Sequence, residues 1–450
     1  MQTNDFSNLP TSWQIKTLGE ICEILDNMRK PINSIEREQR LKNSTTKYAY
    51  YGATGQVGYI DDFLCDFESI LLGEDGAPFL EPFKDKAYIV SGKYWVNNHA
   101  HILKAKENFA INKFVCYFLN IVDYMPYVSG TTRLKLNQSA MKQIKIPLPP
   151  LEIQKRIVAR LESAFEKIEK GSAHLQDAKT KLAKYKQSLL KSAFDGTLTA
   201  AASLQGVEKA ETIHKVDCHK SANANFHNDD KSVDCHDLTS SNLAMTDKEN
   251  PKLPQGWTIK TLGEIGEIVT GSTPNTKNRE YYGDEYPFYK PTDLNLGYCV
   301  ENSSDMVSSK GFEISRKLPS KSILVTCIGA TIGKTGLIRN AGICNQQINA
   351  IIPKQNICPE FVYFYCISNA MQELIKTNAS ATTLPILNKT AFSKLPIPLP
   401  PLETQKQIVK LLEKHLQHAD KTGEFIESAL NKAKQLKQSL LKSAFLGKLT

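Results

Sequence analysis

WQIKTLGEICEIL at 13–25 returns 244 positions later as WTIKTLGEIGEIV at 257–269. IPLPPLEIQKRIV at 146–158 returns as IPLPPLETQKQIV at 397–409, and KQSLLKSAF at 186–194 recurs unchanged at 437–445, both displaced by 251. Between these islands the two halves diverge almost completely. A period this long does not make a solenoid, so each copy is a domain plus its connecting element. A duplication that keeps its frame but not the intervening segments predicts one scaffold presenting two different reading heads.

Two stretches read as long helices, 151–194 and 402–445, each opened by PLPPLE. The second proline of each pair, Pro150 or Pro401, suits a first-turn position where its missing N–H costs nothing, and Glu152 or Glu403 follows at the positive end. Gly196 and Gly447, with lysines just before them, are stop signals. The apolar spacing is heptad-like. Leu161, Ile168, Leu175, Leu182 and Leu189 mark one series of the first helix, with Ile157, Ala164, Gly171, Ala178 and Tyr185 as the other. In the second helix Leu412, Ala419, Ile426, Ala433 and Leu440 alternate with Ile408, His415, Thr422, Ala429 and Leu436. A seam kept over five heptads predicts a coiled coil, in which the small residues allow close approach. At ~1.5 Å per residue each helix is about 66 Å long, roughly two turns of B-DNA. Both rods end basic, with Lys179, Lys181, Lys184, Lys186 and Lys191 in one and Lys432, Lys434, Lys437 and Lys442 in the other. A solvated face explains these as well as a partner surface does.

The segments 13–146 and 257–397 are rich in short apolar runs such as SILL (69–72), AYIV (87–90) and SILVTCI (322–328), punctuated by turn residues. They read as strands with fewer helices, the helical stretches being 109–122 and 359–374. ILLGEDGA at 70–77 matches ILVTCIGA at 323–330, and GTTRLKLN at 130–137 matches ATTLPILN at 381–388, so the two units share a fold while differing in surface. The segment 195–256 is polar and holds no apolar periodicity, which predicts disorder. Its two VDCH tetrapeptides, at 216–219 and 233–236, lack the spacing of a zinc site. With six lysines against ten acids it carries four net negative charges, so the remainder of the +9 chain holds +13. A basic body favours a polyanion, most simply nucleic acid. The ten cysteines include no C-x-x-C pair and read as reduced thiols in a cytoplasmic protein. The N-terminus has no signal-peptide pattern, and no apolar run approaches membrane-spanning length.

Catalytic signatures are missing. GATIGKT at 329–335 has one residue too few for a phosphate-binding loop, and GLIRN after it reads as a strand, not the helix that the motif requires. The acids Glu74 and Asp75 are replaced by Cys327 and Ile328 in the second copy. A catalytic role for them would exist in only one half.

Taken together, the paired islands, the IPLPPLExQ opening of each long helix, KQSLLKSAF with GTLT or GKLT after it, YYGATGQVGYID (50–61), GEDGAP (73–78), GSTPNTKNREYY (271–282), GATIGKTG (329–336) and NQQINAII (345–352) resemble the specificity subunit of a type I restriction–modification system. The resemblance covers nearly all of the chain. It implies an α+β, pseudo-two-fold architecture: target recognition domains at 1–149 and 257–400, spacer helices at 150–195 and 401–450 packed as an antiparallel coiled coil, and a linker at 196–256. It implies that each domain reads one half of a bipartite, asymmetric site in double-stranded DNA while the helices set the gap and dock partners. Catalysis would belong to two modification subunits, using S-adenosylmethionine, and to restriction subunits using ATP and Mg2+; this chain would hold no cofactor or metal and no catalytic residue.

For DNA contact, hydroxyls and lysines suit phosphate, while Arg, Asn, Gln or Asp suit base edges. On that logic the first domain offers Lys47, Tyr50, Tyr51, Thr54 and Gln56 on its Gly-rich loop, with Thr131, Thr132, Arg133 and Lys135. The second offers Ser272, Thr273, Lys290, Thr292, Asp293, Thr331, Lys334, Thr382 and Thr383. Two other classes compete: a coiled-coil adaptor that binds only protein, and a nucleotide-dependent enzyme using GATIGKT.

Overall fold

The repeated islands meet each other in space. In a computed structural model describing residues 6, 9–42, 44–199, 253–380 and 384–449, the first island forms strand β1 (Gln14–Thr17) in one copy and β11 (Thr258–Thr261) in the other. The IPLP island supplies the antiparallel partner, β10 (Lys145–Leu148) or β19 (Pro396–Leu399), in the registers Gln14↔Leu148 and Thr258↔Leu399. TLGE then turns the chain. The Glu20 carboxylate accepts from the Thr17 amide at 2.6 Å and from its hydroxyl at 2.9 Å, and Thr261 and Glu264 repeat the pair at 2.7 and 2.9 Å. This is capping-box chemistry. It starts a single helical turn, Leu18–Ile21 or Leu262–Ile265, whose Leu and Ile are both buried.

Two compact units result, Met1–Lys179 with Gly423–Thr450, and Thr180–Thr422. Each builds a four-stranded antiparallel sheet of the same order. In the first unit it runs β2 (Cys22–Ile24), β9 (Ala100–Ala105), β6 (Ser69–Gly73), β7 (Ala87–Val90). In the second it runs β12 (Gly266–Thr270), β18 (Ile348–Pro353), β15 (Ile323–Thr326), β16 (Thr335–Leu337). The matched ILLGEDGA and ILVTCIGA stretches are thus equivalent central strands. Alternate residues of a strand face opposite sides: Ile70 and Leu72 enter one core while Leu71 enters another, and Ile323 and Val325 are split from Leu324 in the same way. Apolar cores on both faces explain why these runs are continuous and not alternating.

The divergent part forms a second sheet. In the first unit its order is β4 (Gly55–Ile60), β3 (Tyr48–Gly52), β8 (Lys93–Val96), β5 (Cys65–Asp66). In the second it is β14 (Met306–Val307), β13 (Tyr282–Tyr289), β17 (Ile343–Cys344). β3 runs parallel to β8, and β13 parallel to β17. The architecture is α+β.

The long helices span Leu151–Phe194 and Leu402–Phe445. Pro150 and Pro401 stand one position earlier than expected: their carbonyls accept the first helical hydrogen bonds, from Gln154 at 3.1 Å and Gln405 at 3.0 Å, so each proline is the N-cap and not part of the first turn. The glutamine of LExQ explains why that motif is kept. Buried Gln154 donates to the Phe109 and Pro149 carbonyls at 2.9 and 2.8 Å and accepts from the Ile111 amide at 3.2 Å. Gln405 repeats this with the Pro400 carbonyl and the Cys358 amide, both at 2.9 Å. One side chain thereby ties each helix start to its domain.

KQSLLKSAF is the matching device at the other end. Leu441, Ala444 and Phe445 enter the core of the first unit, and Leu189, Leu190, Ala193 and Phe194 that of the second. The following glycines hold left-handed backbone, φ 81° at Gly196 and 74° at Gly447. A Cβ there would come within 2.2 Å of Pro254 and 2.6 Å of Pro10 respectively, so only glycine fits. At Gly447 the bonds Gly447 N–H to Ala444 O and Lys448 N–H to Ser443 O close a Schellman motif.

Within each unit the helices pair antiparallel. In the first, Lys179 pairs with Glu427, and Lys437 with Glu169 at 3.3 Å. In the second, Lys186 pairs with Asp420. The basic end of one helix therefore lies against the acidic stretch of the other. Such exposed pairs contribute only about 0.2–1 kcal/mol each; their greater effect is to disfavour the parallel arrangement. Of the expected seam, Leu161, Leu189, Leu412 and Ile426 are buried, and Ile168, Leu175, Leu182 and Leu440 are partly buried. Leu436 is 50 % exposed and is not a seam residue. A straight helix drifts about 20° per heptad against a strict seven-residue repeat, and the inward side has passed to Lys437, Leu440 and Leu441. Gly171 departs as well: a Cβ there meets nothing within 4 Å, so it does not mediate close approach.

The expected helix at 109–122 is shorter, and the one at 359–374 is divided and runs further. The first is Asn112–Leu119, and the second is two helices, Pro359–Cys366 and Asn369–Asn378, separated where Ser368 caps the latter. The VDCH tetrapeptides and most of the expected linker lie outside the described residues, as do Thr382 and Thr383. Among the described residues no helix is long and apolar enough to cross a membrane.

Candidate nucleic-acid interface

GTTRLK at 130–135 is a closed loop on the first unit. Ser129 and Lys135 exchange backbone hydrogen bonds at 2.9 and 2.8 Å, and the loop exposes Thr131, Thr132, Arg133 and Lys135. It rests on the end of β6. The Leu136 amide donates to the Glu74 carbonyl at 2.7 Å, Arg133 donates to Asp75 at 2.9 Å, and Lys135 pairs with Glu74 at 3.2 Å.

Below the loop lies a polar network that the sequence reading did not assemble. Arg29 bridges Glu74 and, at 3.2 Å, Asp26. Asp26 also accepts from Gln138 at 3.0 Å and from the Ile102 amide at 3.0 Å. Fully buried His101 places Nδ1 2.7 Å from Asp26 and Nε2 2.8 Å from the Leu136 carbonyl, while His99 Nδ1 stands 2.6 Å from Asp75. Burial opposes ionisation of Glu74, but hydrogen bonds from Arg29 and Lys135 and the charge of His101 outweigh it and hold the carboxyl below its ordinary range. Asp26 is likewise held low, burial being outweighed by His101, Gln138 and the Ile102 amide. Glu74 and Asp75 are therefore structural carboxylates committed to cations. The available signal was the H-x-H spacing of His99 and His101 across the start of β9, together with an acidic pair in one matched segment and a basic pair in the other.

These shifts fix the sign of a pH test. A carboxyl with a lowered folded pKa contributes its full stability above the unfolded value and loses it as pH falls through the folded one. Glu74→Gln should cost the first unit about 1–3 kcal/mol near neutral pH, because Arg29 loses a charged partner. The gap between wild type and variant in urea unfolding should narrow as pH falls below about 4. A difference independent of pH would show that the charge of Glu74 is not what matters.

The Gly-rich stretch of the first unit is the β3–β4 hairpin. Lys47, Thr54 and Gln56 are exposed and Tyr51 is partly buried. Tyr50 is a correction: it is 2 % exposed, and its hydroxyl bonds both the amide and the carbonyl of Ile32, at 3.1 and 3.2 Å, so its side chain holds the core. Strand alternation turns it away from solvent.

In the second unit the candidates fall on three loops. Thr273 is exposed and donates to Gln346 at 2.5 Å, while the amide of partly buried Ser272 donates to the Cys344 carbonyl. Lys290 pairs with Asp305 at 2.7 Å, and Asp293 accepts from the Lys290 amide at 2.7 Å and from Ser304, which fixes the loop that exposes Thr292. Thr331 is exposed and Lys334 partly buried, in the tight turn between β15 and β16. GATIGKT thus leads into a strand. The helix N-terminus that cradles phosphate in a nucleotide-binding loop is not there.

The family model for the type I restriction modification DNA specificity domain matches residues 10–175 and 254–431, one match per repeat. The chain is 36% identical over 174 residues to the HindI specificity subunit of Haemophilus influenzae, an alignment covering 37% of this chain and 38% of that relative. Against such relatives the match spans little more than a third of their length. With the EcoDI specificity subunit of Escherichia coli it is 22% identical over 450 residues, covering 98% of this chain and 90% of that one. Among solved structures, a chain from work on complex assembly and conformational transition of the type I R-M system superposes with a TM-score of 0.66 at 20% identity, over 98% of this chain and 99% of that one. The HsdS subunit of Thermoanaerobacter tengcongensis superposes at 0.50 and 19% identity, over 98% of both chains. These two likenesses concern the fold.

Proposed function

Because the chain belongs to the type I restriction modification DNA specificity family, we propose that it is the DNA-reading subunit of such a system, each unit recognising one half of a bipartite site in double-stranded DNA. The observation that carries this reading is the pair of units built on one frame. The same capping box, the same four-stranded order and the same glutamine tie recur in both, while the candidate residues of the two units differ apart from the threonine pair shared by Thr131–Thr132 and Thr382–Thr383. One scaffold with two chemistries suits an asymmetric target. The long helices, about 66 Å each at ~1.5 Å per residue, supply a spacer of roughly two DNA turns.

Methyl transfer and cleavage then belong to partners in the cytoplasm. Two modification subunits would use S-adenosylmethionine, and restriction subunits ATP and Mg2+. Two modification subunits fit a chain in which the long helix and its flanking islands occur twice. The protein-only adaptor gains no support from loops that differ in the residues able to contact bases, and the nucleotide enzyme lacks its helix.

Methylome sequencing tests the proposal. Cells carrying a modification subunit of this system with the chain should acquire a bipartite methylated motif, and cells lacking the chain should not. The purified chain alone should transfer no methyl group. Robust methyl transfer by the single chain, or an unchanged methylome on adding it, would overturn the reading.

A further inference from the structure

The two units anchor one segment by the same backbone hydrogen bonds but give the described residues there opposite chemistry. In the first, the Glu74 amide donates to the His99 carbonyl at 2.8 Å and its carbonyl accepts from Leu136 at 2.7 Å. In the second, Cys327 does the same with Gln347 at 2.7 Å and Leu387 at 2.8 Å. Ser129 donating to Lys135 is matched by Ser380 donating to Ile386 at 3.0 Å, and the bridge Asp75↔Lys135 by Ile328↔Ile386. On this common frame four side chains exchange as a set. Glu74, Asp75, Arg133 and Lys135 of the first unit stand where the second has Cys327, Ile328, Leu384 and Ile386.

Acids and bases that change together are partners, and the geometry says what the acids do. Gly76, with φ 67°, lets the Arg133 guanidinium lie directly on the backbone; a Cβ there would come 3.3 Å from its Nε and Nη2. Asp75 fixes one NH2 at 2.9 Å, while the Arg133 side chain stays 62% exposed. Its other N–H donors have no partner among the described residues. An arginine meant for phosphate needs no carboxylate beside it, since the same carboxylate repels the phosphate. A neutral base edge suffers no such repulsion.

We infer that Arg133, oriented by Asp75, reads a guanine in the half-site of the first unit, Asp75 acting as a positioning residue. The arginine fork matches guanine O6 and N7 in the major groove. At the corresponding described positions the second unit carries Leu384 and Ile386, 52% and 42% exposed, whose apolar side chains offer no such donors. This inference rests on the DNA-reading function proposed above.

Methylomes of cells co-expressing a modification subunit with the full-length chain, wild type or carrying Arg133→Ala or Asp75→Asn, test it, together with salt titrations of DNA binding. Arg133 is exposed, so its removal spares the fold. Arg133→Ala should relax one G·C position of one half-site by roughly 5- to 150-fold, leaving the other half-site and the salt slope unchanged. Asp75→Asn should relax the same position to a smaller degree. Uniform weakening at all sites with a salt slope lower by about one, as for a lost phosphate contact, would overturn the inference, as would an unchanged motif or relaxation at an A·T position. If the wild-type chain conferred no bipartite motif, the DNA-reading function itself would fall, and the inference with it.

Discussion

Phe445→Ala should destabilise the first unit by about 3–5 kcal/mol, the usual cost of emptying a large aromatic site, and leave the second unit as protected as before. Phe445 is buried to 3 % exposure among Phe114 and Phe118, with ring centroids 4.8 and 5.2 Å away. Its repeat counterpart Phe194 lies against Phe361 and Tyr365 at 5.3 and 5.0 Å, inside the second unit. A loss of this size is a large fraction of a domain's stability of roughly 5–15 kcal/mol. Hydrogen exchange would resolve it: Asn112–Leu119 should lose protection in Phe445→Ala, and Pro359–Cys366 in Phe194→Ala. Loss of protection in the second unit from Phe445→Ala would contradict the assignment of each KQSLLKSAF segment to its core.

Removing one opposed heptad from each helix should move the two half-sites closer together. Residues 171–177 and 429–435 suit the purpose. They lie between the pairs Glu169–Lys437 and Lys179–Glu427, both of which survive the deletion in register. They also avoid Phe165, which packs on Tyr117 in the core of the first unit. Seven residues shorten each helix by about 10 Å at ~1.5 Å per residue, or roughly three base pairs at about 3.4 Å each. The variant should stop methylating the native site and, if folded by circular dichroism and thermal melting, select the same half-sites with a smaller gap. Retention of the original gap by a folded variant would show that something other than the helices sets the spacing.

The frame was legible because the chain states it twice. The long helices, the paired islands and the equivalence of ILLGEDGA with ILVTCIGA all follow from repetition and period, which report local geometry. The exceptions have physical causes. Leu436 satisfied a seven-residue count but not the 3.6-residue turn of a straight helix. The single helix expected at 359–374 ignored Ser368, whose side chain accepts from the Met371 amide and restarts the chain. The candidate site was legible only in part. GTTRLK and the β3–β4 hairpin were found as loops bearing suitable donors, yet Tyr50 faces inward because strand alternation, not residue type, decides exposure. The network joining Asp26, Arg29, Glu74 and His101 links residues up to 75 positions apart. No periodic signal connects such residues; the H-x-H spacing of His99 and His101 and the coordinated loss of the acids and bases in the second copy were the only hints.

Independent reading of two half-sites by the two units can be checked with one exchange. Residues 17–145 are replaced by the corresponding segment of another family member, with the cuts placed at Thr17 and Lys145, paired in the β1–β10 ladder. The methylome is then sequenced in cells co-expressing a modification subunit. One half of the methylated motif should change, while the other half and the gap between them stay as they were. A motif in which both halves change together, or neither does, would show that the units do not read their half-sites independently.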